Sequence, residues 1–535
     1  MSTPPPIPQQ VTVKPFFDGF LRGIPGEGIG QTPASSFESV ENVVNTPSLQ
    51  FNLPNHEGKI FLGAMDGEVY ANRLPDGRKE RFLRGGVPIG IADDRHIITV
   101  AGSRAGKGRG VIIPNLLSYP GSMVVIDPKG DLAAETARYR REKLGQSVYV
   151  IDAFNASQLD ASYQATFNSL QILNRFSETL VEDAGLIADA LIVPSDKSDP
   201  HWNDSAKTFV EGIILHVVTG SAYDGQRHLG TVYDLLMRAD EALRLEMLAN
   251  PAASGAVVDA AVDFFERAEK ERLGVLSSAR QQLKFLGYSQ IRKVLVDGEF
   301  ELGEMKRKPV TIYLSLPAMR MGTCSRLLRL FVNMTLAAME AEQVKPRYPV
   351  LMCLDEFAVL GPMKTIENAA GQIAGLGVKL WPILQDLGQL KSLYKDRWET
   401  FMGNAGVLQF FGNSDLETLN WISKRLGNTT VLTQSHSYVG REASERQGAT
   451  GDSWGQSTQE LVTVEEASRL FGRDDQLLRQ LIIRPVGNSV FCCVEIFHEY
   501  SRGVRGSISD PLSPRTARAC RGKPVVKSSD GRMAG

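Results

Sequence analysis

The amino-acid sequence predicts an α/β fold: a mostly parallel central sheet covered by helices, with an all-α segment inserted into it. Three observations carry this. Seven short apolar runs lack the alternation of a half-buried strand, so each is expected to be buried on both faces, as in a helix-covered parallel sheet. The stretches between most of them are long enough for crossover helices. Between about 167 and 308 such runs stop, and apolar residues recur at helical spacing instead.

The runs are HIITVA (His96–Ala101), SMVVID (Ser122–Asp127), VYVID (Val148–Asp152), VTIYLSL (Val310–Leu316), VLMCLD (Val350–Asp355), VKLWPIL (Val378–Leu384) and VLQFF (Val407–Phe411). Pro382 weakens the sixth, because proline donates nothing to a ladder. Ahead of them, Lys59 to Gly90 alternates, with turn signals at Asp66-Gly67 and Asp76-Gly77, which predicts a small antiparallel element. The inserted segment carries three stripes: Leu180, Ala184, Ile187, Ala188 and Leu191; Phe209, Ile213, Ile214 and Val217; Val258, Ala261, Val262 and Phe265. Residues 433–459 are rich in Ser, Gly and Gln and read as a long flexible loop. In VTVEEASRL, Thr463 followed by Glu466 forms a capping box that opens a short helix. NSVFCCVEIF predicts a late strand. Residues 1–55 read as an extended lead-in.

Bulk properties narrow the class. A chain of 535 residues exceeds one core and suggests two or three domains. Hydrophobic content of 42% and charge of 22% are ordinary for a globular protein, and a net charge of −2 does not advertise nucleic acid. From Ser501 onward, eight Lys/Arg stand against two Asp, so that tail carries +6 and the remainder −8; it reads as a solvated end or as a contact for DNA or a partner. Five cysteines with no CxxC pair suggest free thiols in a reducing compartment and make a zinc site unlikely on spacing. No stretch offers 18 apolar residues in a row, and the start lacks a secretory signal, so a cytoplasmic protein is expected.

The chemistry begins at AGSRAGKGRG, Ala101 to Gly110. It departs twice from Gly-x4-Gly-Lys-Ser/Thr: Ala101 replaces the first Gly and Gly108 the hydroxyl residue. It still follows an apolar strand and precedes a helix-compatible VIIPNLL. Gly102, Ser103, Arg104, Ala105, Gly106, Lys107 and Gly108 would then cradle phosphates with backbone N–H groups, Lys107 neutralising the β/γ-phosphates. A Gly-rich structural turn is the alternative. Without a hydroxyl at 108, Mg²⁺ would be held by phosphates, water and distant carboxylates; Ser103 is a spare hydroxyl at the wrong position.

VLMCLDEF supplies the carboxylates. Asp355 would orient Mg²⁺ or its waters, and Glu356 would polarise an attacking water. Asp127, ending VVIDPKGD, is the rival acid, or simply starts a turn. Gln385 closes LWPILQD at a strand's C-terminal end, where α/β sheets bind ligands, and could sense the γ-phosphate. Trp202 and Trp381 read as packing groups. Arg272, Arg280, Lys284, Arg292 and Lys293 read as a DNA-facing set or as a solvated helix face.

Together these stretches resemble the type IV secretion coupling proteins of the conjugative TraG/VirD family, from about Ile60 to Tyr500. The resemblance is carried by AGSRAGKGRGVIIPNLL, GSMVVIDPKGDL, LDEFAVLGPMKTIENAAGQIAGLGVKLWPILQDLGQL and FFGNSDLETLNWISKRLGNTTV. The family loop resembles APTRSGKGxG, so Ala101 and Gly108 match a recognised variant. HWNDSAK, His201–Lys207, resembles a family signature in the inserted helical domain. The resemblance implies a RecA-like P-loop ATPase acting as a homo-hexameric ring, with ATP and Mg²⁺ as cofactors. It implies a motor that brings DNA, with attached relaxase or effector proteins, to a type IV secretion channel. By position, Lys107, Asp355, Glu356 and Gln385 take the catalytic roles, with Asp355 as metal ligand through water; Arg326, Arg329 and Arg425 are candidates for an arginine acting on a neighbouring subunit. The expected division is a lead-in (1–55), a nucleotide-binding domain in two parts (56–166 and 309–500), the inserted domain (167–308) and a basic tail (501–535). Family members usually begin with two membrane-spanning helices; none is encoded here, so the expectation is either a soluble variant, cytoplasmic or peripheral at the inner membrane through a partner that could itself be membrane-anchored, or a motor that serves another process. A DNA translocase or helicase of the FtsK/HerA class and a non-hydrolysing adaptor are the alternatives.

Overall fold

A computed structural model describes residues 10–12, 35–73, 79–193, 200–369, 373–436, 452–475, 479–484 and 490–494. In chain order the strands are β1 (Gln10–Thr12), β2 (Ile60–Arg73), β3 (Lys79–Ile91), β4 (His96–Ala101), β5 (Met123–Asp127), β6 (Ser147–Ile151), β7 (Val310–Ser315), β8 (Val350–Leu354), β9 (Val378–Leu384), β10 (Ala405–Phe411), β11 (Asn428–His436), β12 (Asp452–Glu460), β13 (Arg479–Ile483) and β14 (Val490–Val494).

Every one of the seven apolar runs is a strand, and the seven lie side by side in the order β10-β4-β9-β8-β5-β7-β6, all parallel. β4, β5, β7, β8, β9 and β10 are buried along their whole length, which is why their sequences do not alternate. β6 alternates in burial, as its place at the sheet edge allows. Pro382 is accommodated because β9 pairs with β4 only beyond it, at Ile383 and Leu384. The sheet extends past β10 through antiparallel β13, β14, β2 and β3.

A buried polar ladder crosses this sheet. Trp381 Nε1 donates to Thr99 Oγ1 (2.8 Å), and that hydroxyl donates to Gln409 Oε1 (2.8 Å). Gln409 and Gln480 then pair with one another and with the Leu62 carbonyl. Such groups, once dehydrated, must find partners, so the ladder fixes the register of β9, β4, β10, β13 and β2. Arg140 is buried with only neutral partners among its described hydrogen bonds: Thr311 Oγ1 (2.7 Å) and the carbonyls of Leu116, Tyr119 and Gly121. Its burial lowers its pKa to about 10.

Residues 167–308 hold helices and no strand among the described residues. The first two stripes are buried as read. The third is buried only in part: Ala261 and Phe265 are buried as read, but Val262 is 38% exposed, and Val257, Ala260 and Phe264 complete the buried face. Packing chose the face, because Phe264 stacks on Phe209 with ring centroids 3.6 Å apart and Ala260 seats against Gly212.

Other expectations are corrected. Asp66-Gly67 is no turn; β2 runs through it opposite β3, and across from it Gly86, at φ +87°, leaves no room for a Cβ beside the Met65 carbonyl. The Asp76-Gly77 turn lies outside the described residues. The described parts of the Ser/Gly/Gln-rich stretch, 433–436 and 452–459, lie in an antiparallel ribbon, with Asn428 opposite Glu460 through to His436 opposite Asp452. Its β-branched Thr429, Thr430, Val431 and Thr433 suit a strand, and the ladder is made by backbone, which composition does not report. The lead-in is partly built: Val40–Asn45 is a helix capped by Ser39, and Val43, Leu49 and Phe51 are buried. The capping box at Thr463 and Glu466 and the late strand β14 form as read, whereas β13 was not anticipated. The tail 501–535 lies outside the described residues.

Candidate active site

The strand ends place the candidate residues. β4 delivers Ala101 to Gly110, β9 delivers Gln385, and β8 delivers Asp355 and Glu356; β9 lies between the other two, so all three loops open on the same carboxyl edge.

The loop after β4 is shaped by close approach. Gly102 N–H donates to the Phe411 carbonyl (3.2 Å), and a Cβ at Gly102 would lie 1.9 Å from the Gly412 carbonyl oxygen. Gly412, at φ +63°, seats directly on Ala105. Arg104 (φ 61°) and Gly106 (φ 98°) both adopt left-handed backbone, and a non-glycine residue held there costs on the order of 1 kcal/mol. That turn gives the loop its cradle shape. The following helix starts with a widened turn, Gly108–Ile112, just ahead of Pro114, which offers no N–H to the preceding turn. Buried Asn115 bolts this helix to β2: its Oδ1 accepts from Phe61 N (2.7 Å) and its Nδ2 donates to Phe61 O (2.9 Å). Nothing lies within 4 Å of a Cβ built on Gly108, so packing does not require glycine there. Ser103 and Arg104 are exposed.

Lys107 reaches across to the acids. Its Nζ lies 2.7 Å from Asp355 Oδ1 and 2.9 Å from Glu356 Oε1. Gln385 Nε2 donates to Glu356 Oε2 (2.9 Å). Glu356, two residues past β8, sits at φ 58°, a left-handed backbone conformation. Burial opposes the charge on Lys107, but the two carboxylates outweigh it and raise its pKa. Burial pushes Asp355 up despite Lys107. Glu356 is also pushed up by burial, but Lys107, Gln385 and Lys129 hold it below the usual range. One ammonium against two carboxylates leaves the cluster with room for a further cation. Two oxygen donors of this kind fit a hard cation such as Mg²⁺; among the described residues no group of three or more His, Cys, Asp or Glu forms a metal cage by itself.

The other candidates sort by burial. Asp127 is not a second metal acid: it is buried, it caps the next helix by accepting from Ala133 N (2.8 Å), and burial raises its pKa to about 7. Arg329 cannot project toward a neighbour, because it is 5% exposed and donates to the carbonyls of Leu360 (2.6 Å) and Pro362 (2.8 Å). Arg326 donates to Gln282 Oε1 (3.1 Å), and Arg425 is exposed. Of the basic helical set, Arg280 is taken up by the Leu236 and Met237 carbonyls and Arg292 by Asp234, while Lys284 and Lys293 are exposed. Trp381 is buried, and Trp202 packs on Gly274, as packing groups. In HWNDSAK, Asn203 is buried and accepts from Gln282 Nε2 (3.0 Å), so this stretch ties the inserted helices to Arg326 on the helix after β7.

Asn413 was missed. It is 1% exposed, its Nδ2 lies 3.5 Å from the Gln385 carbonyl, and its Oδ1 has no partner. The signal was available: Gly-Asn directly after a buried parallel strand.

A family model described as Type IV secretory system Conjugative DNA transfer matches residues 57–483. The conjugal transfer protein TraG of Escherichia coli is 27% identical over 398 residues, covering 70% of this chain and 62% of that protein. Protein VirD4 of Agrobacterium fabrum (strain C58 / ATCC 33970) is 29% identical over 354 residues, covering 64% of this chain and 51% of that protein. The chain therefore spans less than two thirds of the length of these curated relatives. The bacterial conjugative coupling protein TrwBdeltaN70 in its unbound monoclinic form shares the fold, with a TM-score of 0.61 at 15% identity over 88% of this chain and 96% of that one.

Proposed function

This chain belongs to the type IV secretory system conjugative DNA transfer family, and on that premise we propose that it is an ATP-hydrolysing motor coupling DNA, with attached relaxase or effector proteins, to a secretion channel. The observation that carries the reading is the contact of Lys107 with Asp355 and Glu356, with Gln385 on the far oxygen of Glu356. When ATP binds, Lys107 leaves the acids for the β/γ-phosphates, and the Gly102–Gly108 backbone cradles them. Asp355 would hold Mg²⁺, through water, and the bound ion would supply charge neutralisation. Glu356, freed from Lys107, accepts a proton from the attacking water, and Gln385 follows the change because it is bonded to Glu356. The site faces an open edge, which suits a homo-hexameric ring whose neighbour completes it; of the arginines considered, Arg425 is the exposed one and is the candidate for that role. We divide the chain as a two-part motor, 56–166 and 309–500, around a helical domain, 167–308. No described helix is long and apolar enough to cross a membrane. Recruitment to the channel through a membrane-anchored partner is part of the proposal.

The test is ATP turnover with and without single- and double-stranded DNA, for wild type and Lys107→Ala. DNA-stimulated turnover that the variant loses is the expected result. ATP binding without turnover under any condition would overturn the motor reading for this chain.

A further inference from the structure

The stretch VVIDPKGD contributes no metal acid, yet it is built with unusual care. Asp127 accepts from Ala133 N (2.8 Å) and from the N–H groups of Leu132 and Lys129. Gly130, at φ +72°, is pressed on the next loop, where a Cβ would come within 2.4 Å of Ser157 N. That second loop is held by Asp152, which accepts from Ala156 N (2.8 Å), Ser157 N (2.7 Å) and Ser157 Oγ (2.7 Å). Two buried carboxylates thus spend their acceptors on one rigid double loop. The residue this loop leaves exposed at its tip is Lys129.

Register fixes where that tip stands. β5 pairs with β8, Ile126 level with Leu354, so Asp127 lies level with Asp355 and Lys129 begins two residues further on. Adjacent strands are about 4.8 Å apart, and a lysine side chain spans roughly 6 Å, so the ammonium can stand beside Glu356. Lys107 approaches the acids from the β4 side; Lys129 approaches from the β5 side. When nucleotide draws Lys107 away, Lys129 is the cation left on that flank.

We propose that Lys129 is a further nucleotide-binding residue of this site, a fixed cation that takes the terminal phosphate of ATP opposite Lys107. The proposal builds on the reading of Lys107, Asp355 and Glu356 as an ATP site. It assigns to the double loop a discrimination between nucleoside triphosphate and diphosphate, since ADP lacks the phosphate that Lys129 would take.

The test is calorimetry on the full chain with Mg²⁺, using a non-hydrolysable ATP analogue and ADP, for wild type, Lys129→Met and Lys129→Arg. A charge-assisted contact predicts that Lys129→Met weakens the analogue by about tenfold or more and ADP by less than about twofold. Lys129→Arg should stay within about threefold of wild type for both. Unchanged thermal melting of both variants excludes a folding defect, which an exposed side chain should not cause. Equal losses for the two nucleotides, or no loss for either, would overturn the proposal. A wild-type chain that binds neither nucleotide would instead overturn the reading of the whole site.

Discussion

Replacing Lys107 with Met removes the one ammonium between two carboxylates. At an effective dielectric of about 20, a unit-charge pair at 2.7 Å gains roughly 6 kcal/mol before desolvation. Burial of the ammonium is the largest opposing effect. Losing one partner of a fully buried pair costs about 3–5 kcal/mol, and of an exposed pair about 0–1. The side chains of Lys107, Asp355 and Glu356 are 18%, 13% and 27% exposed, so the site lies between those limits. We expect Lys107→Met to lose about 1–3 kcal/mol near neutral pH without nucleotide.

The pH dependence follows in sign. Lys107 has a raised pKa, so its contribution is complete below its ordinary 10.5 and is lost as pH rises through the folded value. Glu356 has a lowered pKa, so its contribution is complete above 4.5 and is lost as pH falls through the folded value. In the variant nothing cationic from the loop holds Glu356 down, and burial lets both acids take up protons. The deficit should therefore shrink as pH is lowered from about 8 to about 5. Adding Glu356→Gln should recover part of the loss, because one uncompensated charge disappears. Guanidinium unfolding followed by tryptophan fluorescence at several pH values reads all of this. A deficit under about 0.5 kcal/mol at pH 8, unchanged at pH 5, would refute the account of the site as an ion cluster.

Other consequences are separable. Gly102→Ala drives a Cβ to 1.9 Å from the Gly412 carbonyl, so the loop must shift; nucleotide binding measured by titration should fall at least about tenfold. Gly108→Ser meets no neighbour and should gain about 0.3–0.5 kcal/mol in thermal unfolding from helix propensity, with a lower Mg²⁺ requirement for turnover if the hydroxyl joins the metal. Thr99→Val strands both Trp381 Nε1 and Gln409 Oε1 and should cost about 2–4 kcal/mol in denaturant unfolding, with part of the loss recovered when Trp381→Phe is added. Gln385→Ala should lower kcat by about tenfold or more while leaving the Kd of ATP within about threefold, because Gln385 touches Glu356 rather than the cradle.

The sequence by itself determined the seven central strands and the loops that end them. A strand buried on both faces must be continuously apolar, and the chemistry of a parallel sheet gathers at its carboxyl edge, so HIITVA, VLMCLD and VKLWPIL declared both structure and site. It also determined the capping box at Thr463, a purely local bargain between two side chains and two N–H groups. Long-range pairing was beyond it. The contact of Lys107 with residues 355 and 356 depends on β9 lying between β4 and β8, which no local pattern encodes. The burial of Arg329 and the orphan Oδ1 of Asn413 depend on what folds over them. The buried face of the third helix widened to take in Val257, Ala260 and Phe264 because Phe264 found Phe209, and the described ends of the Ser/Gly/Gln-rich stretch became a ribbon because their backbone groups found each other. Periodicity reports how much of a residue must leave water; only the tertiary structure decides which neighbour receives it.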